Sequence, residues 1–281
     1  MITIRLIAEL RARLAGRRAA GERIALVPTM GALHEGHLQL CDIARRNADI
    51  VVMSVFVNPL QFGPGEDLEK YPRNLENDGR LAAECGVSVL FAPTVEEVYP
   101  DGASLVRVHA PDLTDVLCGR FRPDHFDGVL TVVAKLFNIV RPNVAVFGQK
   151  DLQQAALIRR MVRDLNYDIE IMVAPIVREP DGLALSSRNA YLSPEERRSA
   201  LSLHRALETA QAAFAAGEHR SAALAAAAEA ILREEPGVSP QYVEVVDPET
   251  LRTPAEAAPG HAVAVAAHVG ATRLIDNVIL S

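Results

Sequence analysis

The chain has 281 residues, of which 49% are hydrophobic and 23% are charged, and its formal net charge is −7. Such a composition is typical of a soluble globular protein, and the length suits two domains of ordinary size. The negative charge disfavours a general nucleic-acid-binding protein, which would normally carry a basic face.

Membrane proteins and disulfide-rich secreted proteins are also disfavoured. The apolar runs, such as residues 50–57, are far shorter than the roughly 20 residues of a membrane span, and the N-terminus lacks a signal-peptide pattern. The cysteines Cys41, Cys85 and Cys118 are odd in number and widely spaced, which fits neither a disulfide framework nor a closed zinc site. We therefore expect a cytoplasmic protein with reduced thiols, no membrane segment and no nucleic-acid partner.

Short runs rich in β-branched residues recur through the first two-thirds of the chain, and each has the length of one strand. They lie at residues 24–28, 50–57, 87–91, 144–147 and 169–173. Amphipathic patterns between them, such as those at residues 37–47 and 67–85, predict helices. Strands that are apolar on both faces and alternate with helices are typical of a parallel sheet covered on both sides. The sequence therefore predicts an α/β fold with a Rossmann-like, doubly wound parallel sheet over residues 1–175.

The pattern changes after about residue 175. A polar loop is followed by two alanine-rich helical stretches and three strand-like runs, at residues 178–197, 200–235, 242–246, 262–267 and 274–280. These features predict a smaller C-terminal α+β domain over residues 176–281. The alanine-rich stretches lack sustained heptads of large apolar residues. We therefore expect helices that pack within the domain and not a coiled coil that binds a partner.

The segments that directly follow the predicted strands carry the polar residues of interest, because ligands of doubly wound sheets bind at the carboxyl ends of the strands. These segments read PTMGALHEGH, NPLQFGPG and GQKDLQQ. Ordinary surface turns would explain their glycines but not their repeated histidine, glutamine and lysine.

The first of these segments contains His34, Glu35, Gly36 and His37, where a helix is predicted to begin. A glycine permits close approach of a phosphate, and the amides and dipole of a helix N-terminus favour negative charge. Two imidazoles could donate hydrogen bonds to an α-phosphate during its transfer. Metal ligation is an alternative, although zinc needs a third ligand and the zincin motif spaces its histidines four apart. A pair of ordinary surface histidines is the other alternative.

The string PTMGALHEGHL resembles the nucleotide-binding motif of pantothenate synthetases, a family within the nucleotidylyltransferase superfamily that carries the HxGH signature. The resemblance continues, in order, through SVFVNPLQFGPGEDLEKYPR, HFDGVLTVVAKLFNIVRPNVAVFGQKDLQQ, REPDGLALSSRNAYL and RLIDN. It implies ATP-dependent condensation of pantoate with β-alanine through a pantoyl adenylate, with release of AMP and pyrophosphate. It also implies a homodimer and a C-terminal domain that closes over the site. Mg²⁺ is expected from the chemistry of ATP, although the sequence shows no dedicated set of metal ligands.

The resemblance also implies roles for individual residues. His37 is the proton donor of the reaction, and His34, Lys150 and Arg188 are the other catalytic groups. The ATP-contacting residues are Met30, Gly31, Ala32, Leu33, His34, Glu35, Gly36, His37, Gly148, Gln149, Lys150, Asp151, Val177, Leu185, Ser186, Ser187 and Arg188.

The substrate-binding residues implied by the resemblance are neutral amides, which offer both donors and acceptors. Gln61 and Gln154 contact pantoate, and Gln61 and Asn58 contact β-alanine. The chain departs from the family at Asp124, where RPGHF is the common pattern and this sequence reads RPDHF. Because aspartate tolerates unusual backbone angles, the departure puts the shape of a loop in doubt more than the activity.

Two other functions are compatible with these motifs. One is a different adenylyltransferase of the same superfamily, which would release a stable nucleotidyl product or charge tRNA; the acidic charge argues against tRNA. The other is a regulator that binds nucleotide without turning it over.

Overall fold

The computed structural model describes residues 1–102 and 105–281, and within them six parallel strands form one sheet and three antiparallel strands form a second. The chain divides between two units. The N-terminal unit contains Met1–Asp115, Gly119–Gly148 and Leu157–Ala174. The C-terminal unit contains Val116–Cys118, Gln149–Ala156 and Pro175–Ser281.

The large sheet belongs to the N-terminal unit. Its strands are β1 (Ile2–Ile4), β2 (Ile24–Thr29), β3 (Ile50–Val55), β4 (Val89–Phe91), β5 (Val144–Gly148) and β6 (Glu170–Ala174). They lie in the order β1-β4-β3-β2-β5-β6. From β2 the order runs outward through β3 and β4 on one side, with β1 added at the edge, and through β5 and β6 on the other, which is the arrangement of a doubly wound sheet with its switch point between β2 and β5. The predicted fold class is confirmed for this part of the chain.

Helices alternate with these strands along the chain. They are α1 (Ile7–Ala19), α2 (Glu35–Asn47), α3 (Leu75–Glu84), α4 (Val95–Val98), α5 (Leu117–Phe121), α6 (His125–Val140) and α7 (Leu152–Asp164), with a 3₁₀ helix at Pro59–Gln61. The central strand β2 is fully buried along residues 24–27, as expected for a strand covered on both faces.

Helix α3 is shorter than the sequence pattern suggests. It begins at Leu75 instead of near residue 67, and the Asn74 side chain accepts a hydrogen bond from the Asn77 N–H at 3.1 Å as its N-cap. Pro72 lies two residues before this cap, and proline disfavours helical geometry in the residue that precedes it. Residues 67–74 therefore form turns before the helix.

The C-terminal unit is built on the antiparallel sheet. Its elements are α8 (Pro194–Ser199), α9 (Leu201–Ala215), α10 (Ser221–Glu234), β7 (Val238–Val246), β8 (Ala262–Val269) and β9 (Thr272–Ile279). The alanine-rich helices α9 and α10 pack against each other and against the sheet. Their buried alanines, including Ala206, Ala210 and Ala228, share one core with Val263 and Val265 of β8. The predicted α+β character of this region is confirmed.

Along the described ranges 1–102 and 105–281, no helix combines the length and apolarity that crossing a lipid bilayer requires.

Asp124 adopts the left-handed backbone conformation, with φ 61° and ψ −4°, directly before α6, and its side chain makes no capping hydrogen bond there. Glycine adopts this conformation without cost, aspartate at a small cost and alanine at a larger one. We expect Asp124→Gly to raise the thermal unfolding midpoint by about 1–2 °C and Asp124→Ala to lower it. Differential scanning calorimetry of both variants checks this order, and a midpoint that is higher for alanine than for glycine contradicts it.

Candidate active site

The loop after β2 lies at the switch point of the large sheet, where the crevice of a doubly wound sheet forms. Gly31 and Ala32 turn the chain away from the strand with positive φ angles of 85° and 51°. A left-handed alanine is strained, so other contacts must hold the loop in this shape.

The side chain of Asp78, on α3, supplies those contacts. It is 1% exposed, and it accepts hydrogen bonds from the Leu33 N–H at 2.8 Å and the Ala32 N–H at 3.1 Å. A Cβ atom at Gly31 would lie 2.8 Å from its Oδ2, so the carboxylate reaches the loop only because residue 31 is glycine. Asp78 is a site residue that the sequence did not reveal, since nothing in the motif points to a partner 46 residues away.

His34 and His37 begin helix α2 and cap it together. His34 is the N-cap, and its Nδ1 accepts a hydrogen bond from the Gly36 N–H at 3.2 Å. The Nδ1 of His37 accepts from the His34 N–H at 3.3 Å, and the two ring centroids are 4.2 Å apart. Each imidazole thus pairs with an amide at the helix N-terminus, as the side chains of a capping box do.

This pairing fixes the tautomer of both rings. An Nδ1 atom that accepts a hydrogen bond carries no proton, so a neutral imidazole carries its proton on Nε2. Both histidines can therefore act as Nε2–H donors to an anion. Among the described residues 1–102 and 105–281, the His, Cys, Asp and Glu side chains form no group of three or more that could hold a metal ion.

The HEGH motif has glycine at position 36 for a steric reason. A Cβ atom at Gly36 would lie 2.9 Å from Cε1 and 3.0 Å from Nδ1 of His34. These separations are shorter than a van der Waals contact, so a larger residue would displace the ring that caps the helix.

Asn58 is the N-cap of the 3₁₀ helix that follows β3, and Gln61 is the last residue of that helix. Asn58 is 1% exposed, and its Nδ2 donates to Gln61 Oε1 at 3.1 Å and to the Gly128 carbonyl at 3.0 Å. Its Oδ1 accepts from the Leu60 N–H at 3.3 Å and from the Tyr99 hydroxyl at 2.8 Å. All the hydrogen-bonding positions of this amide are therefore used within the protein.

Gln61 links this segment to the loop after β2. Its Nε2 lies 3.1 Å from the Sδ atom of Met30, a weak acceptor. Its main-chain oxygen accepts from Nδ1 of His125 at 2.7 Å and from Arg122 at 3.4 Å. Arg122 forms a paired ion contact with Glu66, at 2.6 and 2.7 Å. The structure thus brings together Met30, a predicted ATP contact, and Gln61, a predicted pantoate contact.

Residues of the GQKD segment are held within the C-terminal unit by Asn277 of β9. Gly148 ends β5 in the N-terminal unit, and the next residues form a 3₁₀ helix at Gln149–Asp151. Asn277 donates to the main-chain oxygens of Gln149 at 3.0 Å and Lys150 at 3.1 Å, and it accepts from the Gln149 side chain at 3.1 Å. This anchor explains the RLIDN motif, whose residues have no assigned contact with substrate.

The segment from Val177 to Arg188 forms a short hairpin followed by a 3₁₀ helix. The Leu185 N–H donates to the Val177 carbonyl at 3.0 Å, and the hydroxyl of Ser186 accepts from the Arg188 N–H at 3.3 Å. Ser187 begins the 3₁₀ helix Ser187–Tyr191. The segment predicted to contact the adenine is therefore hydrogen-bonded to the segment predicted to contact the phosphates.

A buried ion pair anchors this hairpin to β9. Arg178 contacts Asp276 in a bidentate manner, at 2.6 and 3.0 Å, and Asp276 is nearly fully buried. Asp276 precedes Asn277 in the RLIDN motif, so adjacent residues of one strand hold both predicted ATP-contacting segments of the C-terminal unit. Gln154, the other predicted pantoate ligand, is partly exposed in the first turn of α7.

Comparison with known proteins confirms the family resemblance. The family model described as pantoate-beta-alanine ligase matches residues 2–279. The chain belongs to the pantoate-β-alanine ligase family. It is 55% identical to the pantothenate synthetase of Moorella thermoacetica over 281 residues, which is 100% of this chain and 99% of that protein.

Solved structures of this ligase family share the fold. The pantothenate synthetase of Thermus thermophilus is 50% identical, with a TM-score of 0.93 over 99% of both chains. The pantoate-β-alanine ligase of Francisella tularensis, solved in complex with beta-gamma ATP and β-alanine, is 33% identical, with a TM-score of 0.81 over 99% of this chain and 97% of that one.

Substitution of Gly36 tests the capping arrangement. We expect Gly36→Ala to displace the His34 ring and to shift its ¹⁵N signals away from the Nε2–H tautomer, because a Cβ atom would collide with the ring. Gly16→Ala in α1 is the matched control, since a Cβ there meets no atom within 4 Å and alanine favours a helix by about 1 kcal/mol. Unchanged His34 signals in Gly36→Ala would contradict the capping role.

Substitution of Asp78 tests the clamp on the loop. Asp78→Asn replaces one acceptor by an amide donor that faces a main-chain N–H, so we expect faster hydrogen exchange at Ala32 and Leu33. The free energy of unfolding should fall by about 1–3 kcal/mol, the cost of leaving a buried group unpaired. Asp42→Asn, on the exposed face of α2, is the control and should change neither quantity. Exchange rates at Ala32 and Leu33 that match the wild type are the contrary outcome.

Proposed function

We propose that this protein condenses pantoate with β-alanine in two steps, using ATP to form a pantoyl adenylate. The observation that carries the proposal is the pair His34 and His37 at the N-terminus of α2, whose Nδ1 atoms both accept main-chain hydrogen bonds, so that each neutral ring carries its proton on Nε2. Donors fixed in this way can stabilise charge that develops on a phosphate, and the chain belongs to the pantoate-β-alanine ligase family.

In the first step a carboxylate oxygen of pantoate attacks the α-phosphorus of ATP, which enters as Mg·ATP, and the bond to pyrophosphate breaks. We assign His34 and His37 to the α-phosphate, with His37 as the proton donor. Lys150 and Arg188 neutralise the leaving pyrophosphate, because a point charge and a planar guanidinium both bind phosphate oxygens well. Ser186 and Ser187 add hydroxyl donors.

In the second step the amine of β-alanine attacks the carbonyl carbon of the adenylate. The new C–N bond forms, the nitrogen loses a proton, and the bond to AMP breaks. We assign Gln61 and Gln154 to pantoate. We place β-alanine next to Gln61 and Asn58. No residue serves as a covalent nucleophile, so positioning and electrostatic stabilisation carry the rate.

We assign the remaining ATP contacts to the residues that the family resemblance implies. The loop Met30–His37 and the segment Gly148–Asp151 contact the phosphates and ribose through main-chain groups, and Val177 and Leu185 contact the adenine. The hydrogen bond between Val177 and Leu185 supports this pairing of roles, because it keeps both residues on one hairpin.

We further propose that the protein acts as a cytoplasmic homodimer. The odd number and wide spacing of Cys41, Cys85 and Cys118 support a reducing compartment, and the family resemblance supports the dimer. Light scattering coupled to size-exclusion chromatography measures the mass directly. A mass of one chain at micromolar concentration would refute the dimer.

The proposed reaction is tested by pyrophosphate release from Mg·ATP with pantoate alone, with β-alanine alone and with both. We expect sustained release only with both, with AMP and pantothenate as products. Sustained release with pantoate alone would point to a different adenylyltransferase. ATP binding without release in any mixture would favour a regulator that binds nucleotide.

Variants of the histidine pair test its role. We expect His37→Asn to lower turnover by about 10² to 10³, because asparagine can replace the Nδ1 acceptor but not the Nε2–H donor. Lys150→Met should cause a loss on the same scale. His219→Asn, an exposed histidine of the C-terminal unit, is the matched control and should keep full turnover. Near-normal turnover of His37→Asn would remove His37 from the mechanism.

A further inference from the structure

A buried chain of hydrogen bonds lies behind Gln61 in the N-terminal unit. It begins at Tyr99, which is 4% exposed and whose hydroxyl donates to Asn58 Oδ1 at 2.8 Å. It continues from Asn58 Nδ2 to Gln61 Oε1 at 3.1 Å. Tyr99 follows the short helix α4 and belongs to none of the motifs that carry the family resemblance.

The surroundings of Asn58 leave its amide a single orientation. The Leu60 N–H is only a donor, so the atom facing it must be oxygen, and the Gly128 carbonyl is only an acceptor, so the atom facing it must be nitrogen. The close approach of Gly128 depends on its lack of a side chain, since a Cβ atom there would lie 2.2 Å from the Leu60 oxygen.

The orientation of Asn58 then fixes that of Gln61. Because Asn58 Nδ2 donates to it, the facing atom of Gln61 is Oε1, and the amide nitrogen points the other way, toward Met30 Sδ at 3.1 Å. Sulfur is a weak acceptor, which a substrate oxygen readily replaces. Gln61 therefore presents N–H donors, which suit a carboxylate or hydroxyl oxygen and not an ammonium group.

Tyr99 is itself held as a donor. Burial raises the pKa of its phenol well above the usual value, so the hydroxyl keeps its proton throughout the physiological range. Its ring contacts Phe56, with a centroid distance of 6.2 Å, and the Lys135 ammonium lies 5.2 Å from the ring centroid. Without the hydroxyl, Asn58 Oδ1 would retain only the longer bond from Leu60, at 3.3 Å.

We propose that Tyr99 is a positioning residue for pantoate, which acts through Asn58 to keep the donor face of Gln61 toward the substrate. This inference rests on the proposed function, because it takes pantoate as the ligand of Gln61. The same inference makes Asn58 a residue that orients Gln61, since every hydrogen-bonding position of the Asn58 amide is used within the protein.

Tyr99→Phe tests the proposal, because it removes only the hydroxyl. We expect the KM for pantoate to rise about threefold to tenfold, the scale of one net hydrogen bond, with the KM for ATP unchanged. Tyr242→Phe is the matched control, since it removes another buried phenol hydroxyl, in the C-terminal unit, and should leave both KM values unchanged. An unchanged KM for pantoate, or equal rises for pantoate and ATP, would overturn the proposal.

A double-mutant cycle separates action through Asn58 from general loosening. Asn58→Ala alone should raise the KM for pantoate, and adding Tyr99→Phe to it should cause no further rise, because the intermediate group is already missing. Independent, multiplying effects would show that Tyr99 does not act through Asn58 and would overturn the relay.

The side-chain amide signals of Gln61 distinguish failure of this inference from failure of the proposed function. A wild-type protein that forms no pantothenate refutes the function. In ¹H–¹⁵N spectra the Gln61 NH₂ signals should still shift in Tyr99→Phe and not in Tyr242→Phe. If they stay in place in both variants, the relay is refuted whatever the activity.

Discussion

The strands β1 to β6 all run in one direction, and this constraint determines where the site of the N-terminal unit can lie. Parallel strands place their carboxyl ends along one edge, so the segments after β2, β3 and β5 begin at the same edge of the sheet. Because the strand order runs outward from β2, the loop after β2 lies at the switch point. The sheet topology alone therefore determines where the polar residues of the candidate site lie.

The polar groups of the site are held by other buried polar groups. Asp78 binds the main-chain amides of the loop after β2, and the imidazoles of His34 and His37 bind amides at the start of α2. In the C-terminal unit Asn277 binds the oxygens of Gln149 and Lys150. Each of these bonds fixes geometry in advance of binding, and a donor that is already oriented need not reorganise when charge develops.

Three glycines of the site leave room for the groups that hold it in place. Gly31 admits the Asp78 carboxylate, Gly36 admits the His34 ring, and Gly128 admits the backbone of the Pro59–Gln61 turn. In all three cases a Cβ atom would meet a neighbour at less than 3.0 Å. The sequence interpretation ascribed the HEGH glycine to the approach of a phosphate, and the structure adds a contact within the protein that requires it equally.

The sequence by itself determined five of the six strands of the large sheet, the three strands of the small sheet and the HEGH, GQKD and SSR segments, because these signals lie in neighbouring residues, but it did not reveal the short edge strand β1. It did not determine the start of α3, where Asn74 caps the helix after Pro72, nor helix α6, whose residues are buried on nearly all sides and leave little polar face to recognise. Only the tertiary structure decided the hydrogen-bond partners of Asp78, Tyr99 and Asn277. Their partners lie 46, 41 and 128 residues away in the chain, and no local pattern encodes a hydrogen bond over such a distance.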